Sequence, residues 1–129
     1  PIVEKGGADI ILAFERLEAL RYLPYLKKGG TMLVNNQRID PMPVITGAAE
    51  YPENIEDKIS ASGVKLIMCD ALDIAKQLGN SKAVNVVLIG LLAKYWDISK
   101  EKYIEAIRQL VKPKFVELNI QAFEEGYRA

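Results

Sequence analysis

The sequence has no histidine, one cysteine (Cys69) and no net charge, with 17 basic and 17 acidic residues in 129. Each lack removes a class of function. Without histidine there can be no Ser-His-Asp or Cys-His nucleophilic centre. A zinc site of the usual His/Cys type also lacks its ligands. A single thiol has no partner for an internal disulfide, and an iron–sulfur cluster normally takes four thiolates. The scarcity of cysteine fits a reducing, cytoplasmic setting. Balanced charge argues against nucleic acid or an anionic membrane as partner, since both select a basic surface. The longest apolar stretch, Val86–Ala93, is too short to cross a bilayer. No Gly-x-Gly-x-x-Gly or P-loop pattern occurs.

Half of the residues are hydrophobic, enough to build one domain core over the whole chain, residues 1–129. Asp9–Phe14 (DIILAF) reads as a strand buried on both faces. Glu15–Leu26 follows with leucines three apart at 17, 20, 23 and 26. This predicts a helix that Pro24 bends or shortens and Gly29-Gly30 stops. Thr31–Asn35 is a second strand, and residues 36–51 form a polar, proline-marked loop. Pro52 suits the first position of a helix buried through Ile55 and Ile59. Val64–Cys69 is a third strand, and Asp70 is placed to cap a helix that Gly79 ends. The last third reads as three helices, near Lys82–Trp96, Lys100–Val111 and Pro113–Tyr127, with Ser99 as a cap for the second. The expected fold is α/β: a Rossmann-like parallel sheet of about three strands followed by a C-terminal helical segment. Three strands make a thin sheet, and the chain starts at Pro1 directly before a strand-like run. The expectation is therefore a fragment whose sheet continues into a missing N-terminal part.

In open parallel sheets ligands sit beyond the carboxyl ends of the strands. Those ends are Glu15 and Arg16, Asn35 to Arg38, and Asp70. Each has a plain structural alternative. Glu15 suits a helix start, Asp70 suits a cap, and Asn35-Asn36-Gln37-Arg38 reads equally as an ordinary loop or a binding loop. The Lys82–Trp96 helix is apolar almost all round, which points to a core or an interface. Asn85 interrupts it and reads as a satisfied core amide. Asn119 falls inside the stripe of Phe115, Leu118, Ala122 and Phe123, where it would pin the helix or reach a partner chain. Cys69 has no basic neighbour in sequence and reads as a buried, inert thiol.

Several separated segments also carry a resemblance. AFERLEALRYLPYLKKGGTMLVN (Ala13–Asn35), PMPV (Pro41–Val44), CDALDIAKQLGNSKAVNVVLIGLLAK (Cys69–Lys94) and PKFVELNIQAFEEGY (Pro113–Tyr127) resemble the gamma subunit or gamma domain of 2-oxoacid:ferredoxin oxidoreductases. Ala13–Asn35 and Pro113–Tyr127 are most similar to the indolepyruvate branch. The resemblance covers nearly the whole chain. It lacks the first strand and the Gly-Gly-Gln-Gly turn with which that module normally starts.

The resemblance implies a large enzyme that oxidatively decarboxylates 2-oxo acids, aryl pyruvates such as indolepyruvate in this branch. Thiamine diphosphate on other domains forms the carbanion adduct, iron–sulfur clusters pass electrons to ferredoxin, and coenzyme A takes the acyl group. This chain would bind none of these cofactors. It would act beside a catalytic subunit and, isolated, would be inactive and self-associate as a homo-oligomer. The match marks Glu15, Asn35, Asn80, Asn85 and Asn119 as polar positions to watch, and assigns no catalytic residue and no metal ligand. The competing reading is a free-standing α/β module that binds a nucleotide or an acyl-CoA-like ligand.

Overall fold

The computed structural model describes residues 2–129. The chain divides after Met68 into two compact units.

The first unit is built on β1 (Ala8–Ala13), α1 (Arg16–Tyr22), β2 (Leu26–Asn35), α2 (Met42–Ile45) and α3 (Ile55–Ala61). Together with β3 (Lys65–Cys69) the strands form a parallel three-stranded sheet in the order β1-β2-β3, as the sequence pattern predicts. Leu17 and Ala19 from α1, Ala13 from β1, Met32 and Val34 from β2, and Ile55 and Ile59 from α3 close the core.

Pro24 shortens the first helix as expected. Regular helix ends at Tyr22, and Leu23–Tyr25 is a 3-10 turn with the proline in its first residues. The Gly29-Gly30 pair behaves differently from the expected helix stop. Leu26, assigned to the helix from its leucine spacing, already pairs with Ala8 as the start of β2. Between the Ala8–Leu26 and Ile10–Thr31 pairs, β1 contributes one residue and β2 contributes Lys27 to Gly30, so the glycines lie in a bulge. Gly29 takes φ +79 there, and a Cβ on Gly30 would fall 2.8 Å from Leu26 Cδ1 and 2.9 Å from the Lys27 carbonyl oxygen. The glycines thus serve the strand rather than ending a helix. Lys27, carried on the bulge, pairs with Asp9 at 2.7 Å on the surface.

Pro52 does not open α3. The helix starts at Ile55, after Asn54 in the left-handed region at φ 57, because the chain turns once more before entering it. Ile55 and Ile59 are buried as expected, at 2% and 1% exposure. The 36–51 loop contains α2, with Pro41 at its N-cap.

The second unit carries α4 (Ala71–Gln77), α5 (Val84–Tyr95), α6 (Lys100–Leu110) and α7 (Val116–Arg128), with 3-10 turns at Ser81–Ala83 and Pro113–Phe115. Ser99 occupies the N-cap position of α6, but its side chain makes no capping bond; its carbonyl accepts from Lys102 N–H at 3.1 Å. Two glycines fix how α5 meets α7. A Cβ on Gly90 would lie 2.0 Å from the Phe123 carbonyl oxygen, and one on Gly126 would lie 1.8 Å from the Val87 carbonyl oxygen. The two backbones touch at a distance no other residue allows. Val87, Leu88, Leu91, Ala122 and Phe123 pack around that crossing, each 0% exposed. The Phe123 ring stacks on Tyr103 of α6 at 5.4 Å. Among the described residues no helix is long and apolar enough to cross a membrane.

Candidate functional site at the carboxyl ends of the first strands

Where β1 ends, the chain turns through Phe14 into α1, and Glu15 becomes the N-cap residue with extended backbone (φ −155, ψ 152). Its carboxylate is 8% exposed and is satisfied by three protein donors. Oε1 accepts from Glu18 N–H at 2.9 Å, an ordinary capping bond. Oε2 accepts from Ile39 N–H at 3.1 Å and from the Tyr51 hydroxyl at 2.5 Å. The Tyr51 oxygen in turn accepts from Leu17 N–H at 3.0 Å. One buried carboxylate therefore holds its own helix start and two points of the 36–51 loop.

Asn35, at the end of β2, is 2% exposed. Its amide nitrogen donates to the Phe14 carbonyl at 3.1 Å and to Gln37 Oε1 at 3.0 Å. These two acceptors fix the amide orientation. Arg16 N–H donates to the Gln37 carbonyl at 3.1 Å, which ties the start of α1 to the exit of β2. Asn35 Oδ1 and Arg16 Nε are enclosed without a protein partner, so they are the remaining hydrogen-bonding capacity of the cluster. Arg38 lies over the Tyr51 ring, 4.3 Å from its centroid, and its Nε is 2.6 Å from Asp40 Oδ1. That bond to Asp40 raises the Arg38 pKa above its ordinary value. Burial, followed by the bond to Glu15, pushes the Tyr51 phenol up to about 12. An adjacent concavity of about 420 Å³ is lined by Glu15, Glu18, Arg21, Tyr22, Ile39, Asp40 and Pro41.

Of the residues singled out from the sequence, the fold gathers Glu15, Asn35 and Arg38 around the 36–51 loop. Asn36 lies in the same stretch and is exposed. Asp70 is exposed at the N-cap position of α4. Its backbone carbonyl accepts from Ile74 N–H at 3.1 Å, while its carboxylate makes no capping bond. Asn80 caps the 3-10 turn before α5, its Oδ1 accepting from Lys82 N–H at 2.9 Å. Asn85 is not a core amide: it is exposed on α5, because the buried face of that helix runs through Val87, Leu88 and Leu91. Asn119 is half-buried and donates to the Phe115 carbonyl one turn back at 2.8 Å, so it fastens the start of its own helix. Cys69 is 4% exposed, and burial, aided by the Asp70 charge, raises its thiol pKa.

Tyr51 was not visible as a site residue. It lies 36 positions beyond Glu15 in a loop without periodicity, and its one signal is an aromatic ring beside a proline in an otherwise polar stretch.

The arrangement suits positioning better than proton transfer. Both Glu15 oxygens are occupied by donors, and the one mobile proton nearby belongs to a phenol held neutral far above physiological pH. Fold and site together define an α/β module that holds a loop at the carboxyl ends of its strands. Comparison with known proteins places it. The family described as pyruvate ferredoxin/flavodoxin oxidoreductase matches residues 1–129, and the chain belongs to that family. It is 43% identical to the indolepyruvate oxidoreductase subunit IorB of Thermococcus kodakarensis, over 99% of this chain and 66% of that protein. The same-named subunit of Pyrococcus horikoshii is 42% identical, with the same coverage of both chains. The chain thus spans just under two thirds of the length of these relatives. Among solved structures, the gamma subunit of keto/oxoacid ferredoxin oxidoreductase from Geobacter sulfurreducens superposes with a TM-score of 0.69. It is 26% identical, over 98% of this chain and 66% of that one.

Proposed function

We propose that this chain is the C-terminal portion of a single gamma-type domain, working as a non-cofactor-ligating subunit of a 2-oxoacid:ferredoxin oxidoreductase. The holoenzyme decarboxylates aryl pyruvates of the indolepyruvate type, transfers the acyl group to coenzyme A and reduces ferredoxin, using thiamine diphosphate and iron–sulfur clusters held by its catalytic subunit in the cytoplasm. The substrate branch is supported by the shared name of the two relatives above 40% identity. The supporting role is carried by one observation: the buried Glu15 carboxylate is bonded on one oxygen by its own helix start and on the other by two points of the 36–51 loop. The chain's own donors do not fit an iron–sulfur cluster, since its one thiol, Cys69, is buried with a raised pKa. In the assembly, Glu15, Asn35, Arg38 and Tyr51 fix the loop that the catalytic subunit meets. The test is turnover of the isolated chain with a 2-oxo acid, coenzyme A, thiamine diphosphate and an electron acceptor. A rate no higher than without protein is expected, and clear turnover by this polypeptide alone would refute the reading.

A further inference from the structure

A second concavity lies wholly within the helical unit and shares no residue with the Glu15 cluster. It measures about 270 Å³, and Asn80, Lys82, Val111, Phe115, Leu118 and Asn119 supply most of its wall. Its apolar part is the ring and aliphatic surface of Phe115, Leu118 and Val111. Its polar part is unusual in being committed in advance. Asn80 Oδ1 accepts from Lys82 N–H, and its –NH₂ end supplies the donors of the side chain. Asn119 Nδ2 is engaged by the Phe115 carbonyl, which leaves its Oδ1 as an acceptor. Lys82 lines the same wall, and Lys114 holds its ammonium 4.9 Å from the centroid of the Phe115 ring. No acidic residue lines the wall.

Two donors of positive or partial positive charge beside an apolar wall fit an anion that carries an apolar body. The volume is below the roughly 300–1,000 Å³ of sites for larger ligands, which favours a small molecule. From this complementarity we infer that the groove between Asn80 and Asn119 binds a small apolar monocarboxylate. Its carboxylate is received by Lys82 and the Asn80 amide, and its body lies on Phe115 and Leu118. Asn80 and Asn119 each keep a local backbone bond and also line one concavity with a lysine, apart from the Glu15 cluster.

The test is a titration of the ¹⁵N-labelled chain followed by two-dimensional NMR, with three probes. Phenylacetate has charge and body, phenylacetamide has the same shape without charge, and acetate has charge without body. Saturable shifts with phenylacetate, centred on Asn80, Lys82, Phe115 and Asn119, are expected. Phenylacetamide should bind about tenfold more weakly, the scale of one charge-assisted hydrogen bond, and acetate should not saturate. Lys82 is exposed, so Lys82→Gln should keep the fold, visible as an unchanged spectrum elsewhere, and lower phenylacetate affinity by about tenfold. Three results would overturn the inference: no saturable shift with phenylacetate, equal binding of the neutral amide, or a titration that Lys82→Gln leaves unaltered.

Discussion

Glu15 and Tyr51 form the pair on which the strand-end cluster depends. An amide at position 15 keeps the size of the side chain but has one acceptor oxygen instead of two, so it cannot serve Glu18 N–H on one side and Ile39 N–H with the Tyr51 hydroxyl on the other. Glu15→Gln should therefore destabilise the chain by about 1–3 kcal/mol in denaturant unfolding, the usual cost of stranding buried hydrogen-bonding groups. Tyr51→Phe leaves Leu17 N–H without its acceptor and should cost about 1–2 kcal/mol. Because both changes break one network, the double variant should be less destabilised than the sum of the singles. Full additivity would mean that the 2.5 Å bond carries no coupling. The same pair sets a pH dependence. The Tyr51 phenol is raised in the folded state, so the native chain retains that proton where the unfolded chain has lost it. The resulting stability is complete below the ordinary phenol value near 10 and is lost as pH rises toward about 12. Melting temperatures across that window should fall more steeply for the native sequence than for Tyr51→Phe; parallel curves would contradict the assignment.

The helices of the second unit show what an element can hide from sequence. The α5–α7 crossing rests on Gly90 and Gly126, each closed by the carbonyl of the facing helix. A methyl group at either place collides with backbone, which cannot rotate away as a side chain can. Gly90→Ala and Gly126→Ala should each cost at least the roughly 1–3 kcal/mol typical of overpacking, although alanine favours helix by nearly 1 kcal/mol over glycine. Circular dichroism melts would decide it, and a stabilised alanine variant would show that the helices can separate without penalty. The sequence pattern revealed these helices to within a few residues, because their apolar spacing is long and regular. It could not reveal the crossing, since a glycine inside a helix gives no sign of which backbone will approach it. Asn85 was misplaced for a related reason: in a helix apolar on nearly every side, periodicity does not say which face is buried. In the first unit the leucine spacing ran past Pro24 into Leu26, and only strand pairing shows that Leu26 belongs to β2 and the glycine pair to a bulge. The candidate site was legible in its local half. Glu15, Asn35 and Arg38 follow from the rule that strand ends carry function. Tyr51 reaches Glu15 only through tertiary folding and leaves no local trace.

For the whole molecule, family membership rests on a match from the first residue to the last. The proposed role is that of a part which shapes an assembly and leaves the difficult chemistry to cofactors held elsewhere. The apolar β1 edge, with a concavity of about 520 Å³ lined by Ile2, Val3, Ile10, Leu12, Tyr22 and Tyr25, is surface that the isolated chain is expected to bury by self-association. Light scattering over a dilution series should show mass rising with concentration, and a monomer at every concentration would contradict that expectation. The most direct measurement of the central claim is coenzyme-A-dependent reduction of an electron acceptor by the catalytic subunit and the full-length subunit containing this chain, each alone and mixed. The account predicts that only the mixture turns over, and that indolepyruvate is a better substrate than 2-oxoglutarate. A mixture inactive on every 2-oxo acid, or a catalytic subunit equally active without this chain, would contradict it.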